Sequence, residues 1–185
     1  MSCRVLVITE DPTHNGAILK PLVRRMLEAC GKPKAIVHVP TNPRCRGYAH
    51  AKSLLPGILR RYQHFDLALF LVDADGKDHG AEFTALESGS RPPLLCCAAR
   101  QEVEIWLLAG HRERVAASWQ EIRSEVSLKE RFFQPFLDQH GSNRPDGGRG
   151  LLMAETLANY TSLKTLCPEI AELETRVRAQ LADTP

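Results

Sequence analysis

The sequence predicts an α/β fold: an open, mainly parallel four-stranded sheet followed by a helical C-terminal extension. Two observations carry this expectation. Four short β-rich apolar runs, RVLVIT (4–9), AIVHV (35–39), DLALFLVD (66–73) and PLLCCAA (93–99), are separated by segments that suit helices, which is the grammar of a parallel sheet. From Glu102 onward the remaining patterns are all helical. A chain of 185 residues is the size of one domain. The expected division is an α/β core over 1–110 and a helical extension over 111–185 packed on that core.

Each element has its own justification. The start, MSCRVLVITED, has one arginine and a short apolar stretch running straight into acids, so it reads as a first strand and not as a secretory signal. HNGAILKPLVRRMLEACG (14–31) sets Ile18, Leu22 and Leu27 near helical spacing, with Gly31 as the stop. Pro21 weighs against this helix, because a mid-helix proline costs about 3 kcal/mol, unless the helix begins near it. YAHAKSLLPGILRRYQ (48–63) reads as a helix broken or started near Pro56. DLALFLVD is apolar on both faces, as a strand inside a parallel sheet must be. The polar segment 76–90 has room for one short helix. After Glu102 come EVEIWLLAG, ERVAASWQEI, SLKERFFQPFLDQ, LLMAETLANY and PEIAELETRVRAQLA. The loop GSNRPDGGRG (141–150), with four glycines and one proline, reads as a mobile connector ahead of the last two helices.

Composition excludes some classes. With 43% hydrophobic and 25% charged residues the chain is ordinary for a globular protein, and no run approaches the roughly 18 apolar residues of a membrane helix. Six cysteines show no Cys-x-x-Cys and no His–Cys grouping at zinc spacing. Cys96 and Cys97, inside an apolar run, read as small buried hydrophobes, and a reducing cytoplasm is the expected compartment. A net charge of +2 identifies no partner, although Arg24, Arg25, Arg44, Arg46, Arg60 and Arg61 have room to gather on one face.

Ligand sites in open α/β sheets form at the carboxyl ends of the strands, which is where the acids fall. The first strand ends in Glu10 and Asp11, the third in Asp73 and Asp75. Alternation along a strand would put Asp73 and Asp75 on the same side. If the two strands are neighbours, three or four carboxylates converge, and they cannot all stay ionised without a cation. Oxygen-only ligands of this kind favour Mg²⁺ or Mn²⁺. An isolated Asp-x-Asp serves equally well to cap the following loop, with Asp75-Gly76 forming a turn. The second acidic strand end tips the balance towards metal.

Together VLVITED, LVDADG and EVEIWLLAG resemble the Toprim pattern, in which a glutamate ends the first strand and Asp-x-Asp ends the third. The stretch EIWLLA (104–109) is similar to a family of small stand-alone Toprim-like proteins and, more distantly, to the nuclease half of the overcoming-lysogenization-defect proteins. The resemblance covers roughly residues 3 to 110. It implies a Toprim/Rossmann-like fold, one or two divalent ions (Mg²⁺ or Mn²⁺), and phosphodiester cleavage or transfer on nucleic acid. It also implies an ATPase partner whose nucleotide state gates cleavage, and a place in phage defence.

Carried over by position, Glu10 would bind metal or accept a proton from water, Asp73 and Asp75 would hold the ions, and Glu104 would complete a second metal site. Glu102 joins Glu104 only if the helix begins at Glu104, since residues two apart on a helix point to nearly opposite sides. Trp106, beside Leu107 and Leu108, reads as a core anchor. Asp11 and Pro12 follow Glu10 where Glu-Gly is usual, and His14, where related nucleases often place an acid, reads as a capping or solvated residue. Those nucleases bring in a lysine to steady developing phosphorane charge. Lys164 is the catalytic candidate by location, and Lys77 lies nearer the acids in sequence. Arg44 and Arg46, with Arg144 and Arg149 in the glycine-rich loop, are the candidates for nucleic-acid phosphates, or are simply solvated loop residues.

Two other readings stand beside this one. A phospho-accepting receiver domain also has acids after its first strand and an aspartate after its third, but Arg100 and Gln101 after PLLCCAA do not supply the residues a receiver needs there. A degenerate site in a regulatory or structural partner subunit is the other. Phe132, Phe133, Phe136 and Leu137 could dock such a partner, although a helix core explains them more simply.

Overall fold

The computed structural model describes residues 3–182. Among these, strands β1 (Arg4–Ile8), β2 (Ile36–His38), β3 (Leu67–Asp73) and β4 (Leu94–Ala99) form one sheet in the order β2-β1-β3-β4, with every neighbouring pair parallel. The expected α/β class is therefore the observed one. Val5 stands beside both Val37 and Leu67, and Asp73 beside Ala99. In this order the chain reverses direction across the sheet between β1 and β3, so the crevice for a ligand opens at their carboxyl ends.

Helices α1 (Asn15–Ala29), α2 (Tyr48–Arg61), α3 (Gly80–Glu87) and α4 (Glu104–Leu108) belong to the sheet-forming part of the chain. Then follow α5 (Trp119–Ser124), α6 (Gln134–His140), α7 (Arg149–Ala158), α8 (Tyr160–Leu166) and α9 (Pro168–Ala182). Because strand side chains alternate, each strand feeds two cores. Val5, Val7, Leu67, Leu69, Leu71 and Cys97 meet α1, α4 and the C-terminal helices. Leu6, Ile8, Ala68, Phe70, Val72 and Cys96 meet α2 through Ala51, Leu55 and Ile58. All six cysteines are free, and burial pushes the Cys96 and Cys97 thiols up to about 12, in keeping with small hydrophobes.

Both proline-containing helices run through their prolines. Pro21 and Pro56 lie inside α1 and α2, where a break or a start was expected. In α1, Ile18, Leu19, Leu22, Val23, Met26 and Leu27 are all buried. At roughly 1.5–3 kcal/mol for each buried side chain, that stripe outweighs the loss of one helical hydrogen bond.

The extension departs from expectation in three places. ERVAASWQEI is not one helix: Glu113 and Arg114 end a 3-10 turn, Val115 and Ser118 are extended, and the α-helix starts at Trp119, where Ser118 Oγ accepts the Glu121 N–H at 3.2 Å. The loop 141–150 is internally hydrogen-bonded, not an open connector. Ser142 N–H donates to Gly147 O, and the Asp146 carboxylate accepts the N–H groups of Gly148 and Gly150 at 2.9 and 3.0 Å, starting α7. Three helices follow this loop where two were expected. Phe133, Phe136 and Leu137 are buried in the same core as Val5 and Trp106, and Phe132 packs against it, so this cluster is no docking surface. Among the described residues, no helix is long and apolar enough to cross a membrane.

Candidate functional site

The sheet order brings the two acidic strand ends together. Glu10 follows β1, is only 7% exposed, and its Oε1 accepts the backbone N–H of Asp73 at 2.9 Å. Asp73, the last residue of β3, turns towards the α4 side, where its Oδ1 accepts the Val103 N–H at 2.8 Å. Burial, then the neighbouring carboxylates of Glu10 and Glu104, push the Asp73 carboxyl up to about 8, against the opposing pull of the Val103 N–H. Burial also raises Glu10, and the charge of Asp75 adds to it.

Asp75 is not on the strand. Residues 74–77 make a tight turn closed by Lys77 N–H to Ala74 O at 2.8 Å, with Asp75 at φ 48° and Gly76 at φ 71°. Strand alternation therefore does not place it, and it is exposed beside Glu10. Of the two uses foreseen for Asp75, the turn is the one seen here, and its charge also acts on Glu10. The turn is pinned by β4's continuation, where Gln101, itself at φ 68°, receives the Asp75 N–H on its carbonyl at 3.1 Å. Two non-glycine residues in the left-handed region thus lie bonded side by side past the ends of β3 and β4, a strain that tends to collect at functional sites. Gln101 was not foreseen as a site residue. Its Oε1 is buried without a partner.

Helix α4 begins at Glu104, the condition under which Glu102 and Glu104 share a side. Both meet Lys129. The Lys129 backbone N–H donates to Glu102 Oε2 at 2.6 Å, and its ammonium lies 3.0 Å from Glu104 Oε1. Glu104 is fully buried and neither of its oxygens has a hydrogen-bond partner, so Lys129 meets it as an ion pair alone. Burial opposes the charge on Lys129, but Glu104, Glu102 and Asp73 outweigh it and raise the pKa of the ammonium. Lys129 opens a single π turn, Lys129–Phe133, a wide turn common at functional sites.

Lys129 thus stands where Lys164 was expected. Lys164 pairs with Glu174 at 3.1 Å and lies over the Tyr160 ring, in the company of Cys30 at the far end of α1. It touches none of these acids, because α8 and α9 hold it against each other. Lys77 is exposed in the turn, and His14 is tied to Asp11 at 2.7 Å on the surface.

Of the four arginines, Arg44 and Arg46 reach the site. With Glu10, Asp11, Cys45 and Gly47 they line a cavity of about 230 Å³ at the mouth of the crevice. Arg149 instead packs over the Phe133 ring and donates to Asp146 O at 3.0 Å, so it serves the loop. Arg144 is exposed in that loop, where its carbonyl accepts the Gly147 N–H. Trp106 is wholly buried, as expected of a core anchor, and its Nε1 donates to Glu169 Oε1 at 3.0 Å, fastening α4 to α9.

The donor set is oxygen-only and negatively charged beyond what Lys129 neutralises, which suits a hard divalent ion. Among the described residues, however, no three metal-ligating side chains are grouped closely enough to close round one ion as they stand. Asp73 Oδ1 is held by the Val103 N–H and Glu10 Oε1 by the Asp73 N–H, so each carboxylate has one oxygen outside these two bonds. Compared with protein families, characterised proteins and solved structures, the chain shows no match.

Proposed function

We propose that the chain is a divalent-metal-dependent phosphodiester hydrolase of the Toprim type. The observation that carries the proposal is the crowding at Asp73: a buried carboxyl, pushed up to about 8 by burial and by Glu10 and Glu104, at the point of the sheet where ligands bind. Repulsion of that kind is relieved either by a proton or by a cation. A bound Mg²⁺ or Mn²⁺ would supply an activated water and charge neutralisation at the phosphate. Asp73, Asp75 and Glu10 are the residues to hold it.

The protein's own groups supply the rest. Glu10 either joins Asp73 and Asp75 on the ion or, where it does not, uses the oxygen not bonded to the Asp73 N–H to accept a proton from an attacking water, a role that the burial-raised basicity of this carboxyl favours. Lys129, kept charged by Glu104 and Glu102, is the cation that faces developing phosphorane charge. Arg44 and Arg46, at the mouth beside Glu10, are placed for the flanking phosphates of a nucleic acid. The likeness to small stand-alone Toprim proteins extends the proposal to an ATPase partner that gates cleavage and to a role in phage defence.

The test is calorimetric titration of Mg²⁺ and Mn²⁺ into the wild type and Asp73→Ala/Asp75→Ala, with cleavage assays on plasmid and single-stranded substrates. Metal binding and cleavage that both vanish in the variant are the expected result. Equal, weak binding in both proteins and no cutting by either would leave the acids as turn and loop caps of a partner subunit.

A further inference from the structure

We infer that Lys129 takes the place of a second cation, so that the site holds one divalent ion, on the side of Glu10, Asp73 and Asp75. This rests on the metal reading above and narrows it. The acids that would complete a second ion site are Glu102 and Glu104, and Lys129 engages both at once. Its backbone N–H donates to Glu102 Oε2 at 2.6 Å, and its ammonium sits 3.0 Å from Glu104 Oε1.

Glu104 explains why the counter-charge is part of the chain. Its side chain is 1% exposed, and a buried carboxylate left without a partner is strongly destabilising. A dissolved ion would counter its charge only when present, whereas a lysine built into the fold is always beside it. The backbone at Lys129, from which the ammonium reaches Glu104, is fixed from both sides. Its N–H is bonded to Glu102, and the π turn it opens ends in Phe133, which is wholly buried in the core. An ammonium so placed repels any dication brought to the same two carboxylates.

The other side of the crevice has no such built-in pairing. Asp75 is exposed in its turn, and Glu10 and Asp73 are bonded to backbone N–H groups, not to a basic side chain. Lys129 acts on Glu10 and Asp73 through its charge but contacts neither, so a dication meets less opposition on that side.

The experiment is Mn²⁺ titration of the full chain by calorimetry, with electron paramagnetic resonance of the loaded protein, on the wild type, Lys129→Met and Lys129→Met/Glu104→Gln. One isolated ion in the wild type, two in Lys129→Met, and one again in the double variant are expected. Lys129→Met should also gain more in Tm from Mn²⁺ than the wild type does. Two ions or a spin-coupled pair in the wild type would overturn the inference and leave the metal reading standing, as would a single ion in Lys129→Met. Should that variant fold in no condition, the ion count of the wild type still decides. No ion bound by any of the three would instead overturn the metal reading itself.

Discussion

The Glu10 carboxylate accepts the backbone N–H of Asp73 at 2.9 Å, so a side chain at the end of β1 caps the end of β3. That bond continues the ladder by one step past the last paired residues, Ile8 and Phe70. It also fixes one carboxylate beside another. Close packing of acids is therefore a consequence of how the two strands finish.

A pH dependence follows from the same contact. The Asp73 carboxyl sits at about 8 in the folded protein and near 4 in the unfolded chain, so the folded state binds more protons between those values. Stability contributed by this group is present below about pH 4 and is lost as pH rises to about 8. Asp73→Asn removes the loss while keeping an oxygen for the Val103 N–H. In metal-free buffer the variant should gain roughly 2–5 kcal/mol over the wild type at pH 8, and almost nothing at pH 4. Urea denaturation across that range checks it; a gain that is flat with pH would refute the assignment.

Glycine substitutions separate close packing from mere conformational freedom. A Cβ on Gly110 would lie 2.3 Å from Thr156 Oγ1 and 2.5 Å from the Thr156 Cα, a backbone atom that no rotamer change can move. Thr156 is itself held by donating to Leu107 O at 2.7 Å, so α7 cannot back away freely. Gly110→Ala should cost roughly 2–4 kcal/mol and lower Tm by about 5–15 °C. Gly57, inside α2, would meet nothing within 4 Å. There the same change should be neutral or stabilise by about 0.5–1 kcal/mol, as alanine does in a helix. Paired thermal melts distinguish the two.

What the sequence disclosed, and what it did not, follows from the range of the forces involved. Each strand was legible to within a residue or two, because burial on both faces forces an unbroken apolar run such as LALFLV. The acids at the strand ends were legible for the same reason, since the first polar residues after such runs lie at the ligand edge. The courses of α1 and α2 through Pro21 and Pro56 were not, because only packing against the sheet outweighs a local breaker. Lys129 was illegible altogether. SLKERFF looks like any helix, and nothing in its spacing announces a π turn that folds back on Glu102 and Glu104. Asp75 fell between: Asp-Gly announced the turn, but strand alternation put the residue on the wrong element.

Lys164 offers a control for the site. Its ammonium is partly buried and paired with Glu174 at 3.1 Å, and Arg178 reaches the same oxygen at 3.2 Å. Lys164→Ala should therefore lose only about 1 kcal/mol, since one cation remains on Glu174. Mn²⁺ affinity should match the wild type within error. A variant that loses ion binding while remaining folded, by circular dichroism, would place this lysine in the site after all.

At the open edge of the sheet, β4 is guarded by one ion pair. Its outward-facing residue Cys96 donates its N–H to Glu87 Oε1 at 2.7 Å, and the Cys96 carbonyl accepts from Arg176 Nη1 at 3.1 Å. Glu87 and Arg176 also bind each other at 2.6 Å, so α3 and α9 present to the strand a donor and an acceptor in the positions a neighbouring strand would use. A cavity of about 320 Å³ lies over this edge, lined by Phe83, Thr84, Ala98 and Leu173 among others. An edge with unpaired backbone groups invites pairing with another chain, and charged side chains that occupy those groups prevent it. Glu87→Ala/Arg176→Ala should accordingly self-associate more strongly than the wild type, through β4, with a loss of roughly 1–3 kcal/mol in stability from the freed backbone groups. Sedimentation velocity over a range of concentrations reads the association, and hydrogen exchange at Cys96 and Ala98 reads its location. A double variant that sediments like the wild type, or that associates while Cys96 exchanges freely, would show that the pair serves only to hold α3 against α9.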